Sequence, residues 1–171
     1  MPSTVSSVRA NSTGRLNRLP IIVPLVAFVT VALDQLTKHL VRSNIALYDS
    51  IPDAGFFRLV HTQNTGAAFG IFENATPYLA VFSSIALAVI VWVVVSKRFF
   101  FLENTWGSLA LGLAAGGTLG NLIDRVYYGF VTDFLKAGPW PAFNIADASM
   151  VTGMLLITFL YIRSESTPGG R

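Results

Sequence analysis

The chain has 171 residues, 53% of them hydrophobic and only 12% charged, with a mean hydropathy of +0.58, whereas soluble domains carry about 25% charged residues. This composition excludes an ordinary soluble domain, and a net charge of +3 spread over short basic patches, with no clustered stripe, excludes a nucleic-acid-binding surface. The absence of cysteine excludes disulfides, thiol nucleophiles and thiolate metal sites, and two histidines far from any second ligand argue against zinc.

Residues 1–17 are polar and poor in apolar side chains, which predicts a flexible N-terminal segment. Arg9, Arg15 and Arg18 ahead of an apolar run look like the start of a secretory signal peptide, but no small-x-small cleavage site follows and the helical pattern continues through Asp34 and Lys38. The run from Pro20 to Val41 is therefore read as a first membrane span. It is uncharged to Leu33 and then polar at Asp34, Gln35, Thr37 and Lys38, so its far end must face protein or water. Asp34 and Lys38 lie four residues apart, the spacing of an ion pair that lowers the cost of both charges, and are read as structural support.

From Arg42 to Thr76 the chain leaves the membrane. Phe56 to Thr62 is aromatic and β-branched, and Asn64-Thr65-Gly66 supplies turn residues before the small apolar run Ala67-Ala68-Phe69-Gly70. A small antiparallel sheet lying on the membrane surface is expected there. Pro77 to Ser96 carries no charge and is long enough, at 1.5 Å per residue, to cross a hydrocarbon core of about 30 Å. A third span covers about 106–124. In it Gly112, Gly116 and Gly120 form a stripe of small residues that suits helix packing, while Gly117, Asn121 and Asp124 share a face. Val131-Thr132-Asp133-Phe134 is read as part of a loop. A fourth span, about 146–162, takes its first turn from Phe143-Asn144-Ile145-Ala146-Asp147, where Asn144 and Asp147 share a face. The histidines, His39 and His61, are read as unpaired interfacial residues. One domain results, residues 18–163, with no internal repeat and a short polar tail at 164–171.

Orientation follows from the basic residues. With both termini inside, the cytoplasmic segments hold Arg9, Arg15, Arg18, Lys97, Arg98, Arg163 and Arg171, while Arg42, Arg58, Arg125 and Lys136 fall across much longer outer loops. Asp34, Asp124, Asp133 and Asp147 then gather at the outer ends of their spans. Ionisable groups at the edge of hydrocarbon mark a functional site by default. Aspartates on one membrane face, with no cysteine and no serine–histidine arrangement, point to an aspartate-based enzyme. Spacing alone favours Asp124, which ends a well-defined helix on the same face as Asn121, over Asp133, which lies in a loop. A small proton-coupled transporter would place its charges near the midplane and use broken helices or repeats, and a non-enzymatic scaffold would explain the glycine stripe but not the aspartates.

Asp34-Gln35-Leu36-Thr37-Lys38, Asn64 to Phe69, Gly116 to Arg125, Val131 to Phe134 and Phe143 to Asp147 resemble, in order and content, the sequence boxes of the signal peptidase II (lipoprotein signal peptidase) family. The resemblance runs from about Leu33 to Ile162. It implies a mostly α membrane protein of four transmembrane helices, with the extracytoplasmic sheet as a cradle and a loop or helix on the periplasmic side, in the bacterial cytoplasmic (inner) membrane. The implied activity is that of an aspartic endopeptidase cutting lipidated prolipoproteins on the N-terminal side of the diacylglyceryl-cysteine, without metal or other cofactor. The implied catalytic pair is Asp133 and Asp147. Asn64, Gly66, Asn121, Arg125, Asn144 and Ala146 map onto substrate-binding positions, and Asp34, Lys38 and Asp124 onto supporting ones, with Asp124 placed to hold Arg125. The implied partners are prolipoprotein signal peptides, membrane lipids and globomycin-like cyclic peptide inhibitors.

Overall fold

The computed structural model describes residues 19–66 and 75–166. The run Ala67 to Gly70, the segment 1–17 and the Gly-Gly-Arg end lie outside the described residues. Among the described residues there are four long helices: α1 (Leu19–Asn44), α2 (Thr76–Ser96), α3 (Thr105–Tyr128) and α4 (Ile145–Glu165). Strands β1 (Ser50–Ile51), β2 (Phe57–Asn64) and β3 (Val131–Ala137) form one antiparallel sheet in the order β1-β2-β3.

The distribution of side chains is that of a protein in lipid. Phe28, Phe82, Trp92, Leu155 and Phe159 are exposed, while the largest fully buried side chains are Lys38, Val131, Asn144, Thr132, Asp34 and Asp124. In water such an arrangement would expose apolar surface and desolvate charge together. A hydrocarbon solvent removes the first cost, and mutual pairing answers the second. Helices α1, α2 and α4 are each long and apolar enough to cross a membrane. Helix α3 packs against all three, so its walls are other helices, and most of its buried residues are Gly, Ala, Ser or Thr.

The glycine stripe on α3 is the α1 contact. A Cβ on Gly112 would stand 2.7 Å from Val26 Cβ, on Gly116 2.6 Å from Thr30 Cβ, and on Gly120 2.7 Å from Asp34 Oδ2. Close approach of these backbones is what lets the short Asp34 side chain of α1 reach the Ala146 N–H of α4. Helix α3 begins with the Asn104 side chain accepting from Gly107 N–H at 3.0 Å and stops at Gly129, whose φ of 76° reverses the chain into β3.

Two sequence expectations change. Val131 to Phe134 forms a strand, paired with β2 through Asn64↔Val131 and Thr62↔Asp133. All four of its residues are buried, so the alternation that signals a strand was missing from the sequence. His61 is buried, with Nδ1 2.8 Å from the carbonyl oxygen of Ile45 at the end of α1. It ties the sheet to the helix bundle. Between β3 and α4, residues 138–144 form a turn and loop with no helix.

Candidate active site

Asp133 and Asp147 reach the same place from different elements. Asp133 projects from β3. Asp147 is the third residue of α4, where a capping box holds it: Asn144 Oδ1 accepts from the Asp147 N–H at 2.9 Å, and Asp147 Oδ2 accepts from the Asn144 N–H at 3.2 Å. Both carboxylates line a cavity of about 1120 Å³ together with Asn64, Gly66, Asn121 and Arg125. Its inner walls come from Leu79, Phe82 and Ser83 of α2 and from Met150, Val151 and Thr152 of α4. The cavity thus lies between two lipid-facing helices.

Three asparagines aim amide N–H groups at the dyad. Asn64 Nδ2 donates to Asp133 Oδ2 at 3.0 Å, Asn144 Nδ2 to Asp133 Oδ1 at 2.7 Å, and Asn121 Nδ2 to Asp147 Oδ1 at 2.7 Å. Each amide is held the right way round by a donor on its other end. The Gly66 N–H occupies Asn64 Oδ1 at 2.9 Å, the Asp147 N–H occupies Asn144 Oδ1, and the Lys38 ammonium occupies Asn121 Oδ1 at 2.9 Å. An ammonium or a backbone N–H can only donate, so none of the three asparagines can flip without losing a hydrogen bond at both ends.

Behind this layer sits a closed set of charges. Lys38 Nζ lies 2.8 Å from Asp34 Oδ2 and 3.3 Å from Asp124 Oδ2, and all three side chains are fully buried. Arg42 Nη1 adds a second cation 3.7 Å from Asp124 Oδ2 and donates to Thr132 Oγ1 at 2.9 Å, with its guanidinium 4.5 Å over the Tyr128 ring. Two carboxylates against two cations leave no net buried charge, which is the condition for such a set to be tolerated. The carboxylates also position the dyad. Asp124 Oδ2 accepts from the Thr132 N–H at 3.0 Å, next to Asp133, and Asp34 Oδ1 accepts from the Ala146 N–H at 2.9 Å, next to Asp147.

Burial separates the two carboxyl groups. Asp133 is 3% exposed, whereas Asp147 is half-buried. Desolvation, reinforced by the neighbouring Asp147 charge and opposed by the Asn64 and Asn144 amides, pushes the Asp133 carboxyl up to about 7.

The expected residues therefore assemble in two layers. Asn64, Gly66, Asn121 and Arg125 face the cavity, while Asn144 and Ala146 are buried behind it. Asn144 touches the carboxylates and Ala146 packs beside Gly120. Asp124 does not take Arg125, as expected from their adjacency. On a helix consecutive residues point about 100° apart, and Asp124 turns inward to Lys38 and Arg42 while Arg125 turns to the cavity. Sequence reasoning missed Gln35, whose Nε2 lies 3.1 Å from each of Asp34 Oδ2, Gly120 O and Asp124 Oδ1. It also missed Arg42 as a site residue, although the i, i+4, i+8 spacing of Asp34, Lys38 and Arg42 places all three on one helix face.

A family model for signal peptidase (SPase) II matches residues 26–163. The chain is similar to a lipoprotein signal peptidase of Dehalococcoides mccartyi, 43% identical over 151 residues, covering 85% of this chain and 94% of that one. A lipoprotein signal peptidase of Moorella thermoacetica is 39% identical over 134 residues, covering 78% and 87%. Among solved structures, a bacterial membrane enzyme superposes with a TM-score of 0.77 at 31% identity, covering 86% of this chain and 91% of that one.

Proposed function

The chain belongs to the signal peptidase II family, and we propose that Asp133 and Asp147 are the acid and base with which it hydrolyses the signal-peptide bond of prolipoproteins. It is a membrane peptidase, and the family match leaves the transporter reading without support. The observation that carries the mechanism is the pair of carboxylates from β3 and α4, joined through Asn144 and facing one cavity.

The more buried Asp133, whose carboxyl is pushed up to about 7, serves as the acid and the more exposed Asp147 as the base. Asp147 removes a proton from water as the oxygen attacks the scissile carbonyl carbon; Asp133 donates its proton to the carbonyl oxygen as that oxygen gains charge. Collapse of the tetrahedral intermediate breaks the C–N bond, returns the hydroxyl proton to Asp133, and delivers the proton on Asp147 to the leaving amine. Arg125, facing the cavity beside the dyad, is suited to hold substrate carbonyls. Asn64 and Asn121 line the cavity as amide donors, and Gly66 orients Asn64. Asn144 and Ala146 act from behind, through hydrogen bonds and packing. Asp34, Lys38 and Asp124 support the dyad.

The leaving amine is that of a diacylglyceryl-cysteine. The groove between α2 and α4 offers its acyl chains a route from the bilayer, since both helices present apolar side chains to lipid. We read α3 as the fourth span, because its 24 residues reach about 36 Å at 1.5 Å per residue. The domain is then one four-span unit, 18–163, in the bacterial cytoplasmic membrane, with both termini cytoplasmic and the dyad and sheet outside. A globomycin-like cyclic peptide would compete for the cavity through a hydroxyl placed where the attacked water stands.

Purified protein should cleave a lipidated prolipoprotein, followed as a gel shift, and leave the unlipidated precursor uncut. Asp133→Asn and Asp147→Asn should each lower cleavage by orders of magnitude while remaining folded, and chelators should leave the wild type active. Near wild-type cleavage by Asp133→Asn, with folded Asp124→Asn inactive, would move the pair to Asp124 and Asp147. Loss of activity in EDTA that zinc restores would sink the aspartic mechanism.

A further inference from the structure

The sheet carries two cations that the peptidase chemistry does not use. Arg58 and Lys136 stand directly opposite each other in the β2–β3 register, both half-buried and both lining the cavity. Like charges in directly opposed cross-strand positions are destabilising. Among the described residues no carboxylate is seen within ion-pair distance, 4.0 Å, of either. Asp49 lines the same cavity, with Oδ1 accepting from the Ser50 N–H at 3.0 Å.

Their neutral contacts leave the charge uncancelled. Lys136 Nζ donates to the Trp140 carbonyl at 2.6 Å. Arg58 Nη1 is 3.5 Å from the Asp53 carbonyl, at the limit of a hydrogen bond, and Arg58 Nε is buried with no partner. A buried guanidinium N–H without an acceptor costs free energy that an anionic ligand would return.

The position selects the ligand. Lys136 lies three residues beyond Asp133 along β3, about 10 Å at 3.3 Å per residue, so the cations sit away from the dyad in the same cavity. Around them Tyr48, Phe56, Phe57 and Trp140 are exposed, side chains of the kind that lie at the headgroup level of a bilayer. We infer that Arg58 and Lys136 form a binding site for the phosphodiester of an anionic phospholipid. A headgroup with its own ammonium would add a third cation to two, so an uncharged glycerol headgroup is preferred over choline. This inference rests on the membrane placement of the sheet proposed above, and not on the assignment of the dyad.

Thermal unfolding in nanodiscs tests it without reference to cleavage. Wild-type protein should unfold several degrees higher in discs containing phosphatidylglycerol than in pure phosphatidylcholine discs. Arg58→Gln/Lys136→Gln should lose most of that increment while matching the wild type in phosphatidylcholine. Should the double variant fail to fold, Lys136→Gln alone should lose part of the increment. The wild-type increment should persist in Asp133→Asn, so failure of the catalytic assignment leaves this result readable. An increment unchanged in the variants would overturn the site. Equal stabilisation by soluble glycerol phosphate added to phosphatidylcholine discs would overturn the lipid in favour of a free phosphate. An unchanged increment together with altered preference between substrates bearing Asp or Lys after the cysteine would assign the cations to the mature peptide and overturn the lipid reading.

Discussion

Three asparagines decide what the two aspartates can do, because each has its oxygen occupied and only N–H left to offer. They orient the carboxylates without supplying a proton, which leaves protonation to burial and to the two charges themselves. The Asp133 carboxyl, at about 7 against an ordinary 3.8, binds its proton more tightly in the folded protein than in the unfolded chain. The stability this contributes is present in full below about pH 4 and is lost as pH rises through about 7. Asp133→Asn has no such loss. Its unfolding temperature should therefore rise relative to wild type between pH 5 and pH 8; a difference independent of pH would mean that Asp133 is ionised throughout. Cleavage by the wild type should fall above about pH 7 as the acid loses its proton. Lys38 presents the complementary case. Replacing it by Met leaves Asp34 and Asp124 facing Arg42 alone, and breaking a buried pair in this way costs about 3–5 kcal/mol. Lys38→Met/Asp34→Asn restores neutrality, so in thermal unfolding the double variant should be more stable than Lys38→Met alone.

At the scale of elements, the dyad depends on how closely α3 meets α4. A Cβ on Gly117 would run into the Ala146 carbonyl oxygen and lie 2.9 Å from Met150 N. These are backbone atoms of the turn that carries Asp147, so relief requires α4 to move. Displacing a catalytic group by about 1 Å can cost about 100-fold in rate, and Gly117→Ala should lose cleavage on that scale even where detergent-solubilised protein remains folded. Near wild-type activity would mean that the helices have more freedom than their packing implies. The helices themselves were legible in the sequence, since long apolar runs and the Gly112, Gly116, Gly120 spacing are local signals. So was the membership of the site, through motifs that name residues. Asp133's setting was not. Val131 to Phe134 is covered on both faces, and a strand buried on both faces has no alternation to read. The inward turn of Asp124 was equally hidden, because its partners Lys38 and Arg42 lie more than eighty residues away in the chain. The aspartate face of α3 could be read from helical spacing; which charge met it could not.

For the whole molecule, orientation in the membrane decides which side of the cell the chemistry serves, and the structure sharpens the charge count on which it rests. Of the four basic residues assigned outside, Arg42 is committed to Asp124 and Tyr128 and Arg125 faces the cavity. Of the four, Arg58 and Lys136 remain in the loops proposed to lie outside, and both line that same cavity. Lys97 and Arg98, by contrast, are exposed in the short connection between α2 and α3, where the positive-inside rule applies most strongly. With α3 as the fourth span, as proposed above, consecutive helices alternate in direction, so fixing one connection fixes the others. Because the chain contains no cysteine, single cysteines at Lys97, Glu103 and Asp53, all exposed, can be tested one at a time in intact cells with a thiol reagent that does not cross the membrane. Asp53→Cys, in the turn between β1 and β2, should be labelled. Lys97→Cys and Glu103→Cys should be labelled only after the cells are opened. The reverse pattern would put the sheet and both aspartates in the cytoplasm and overturn the extracytoplasmic placement proposed for the site.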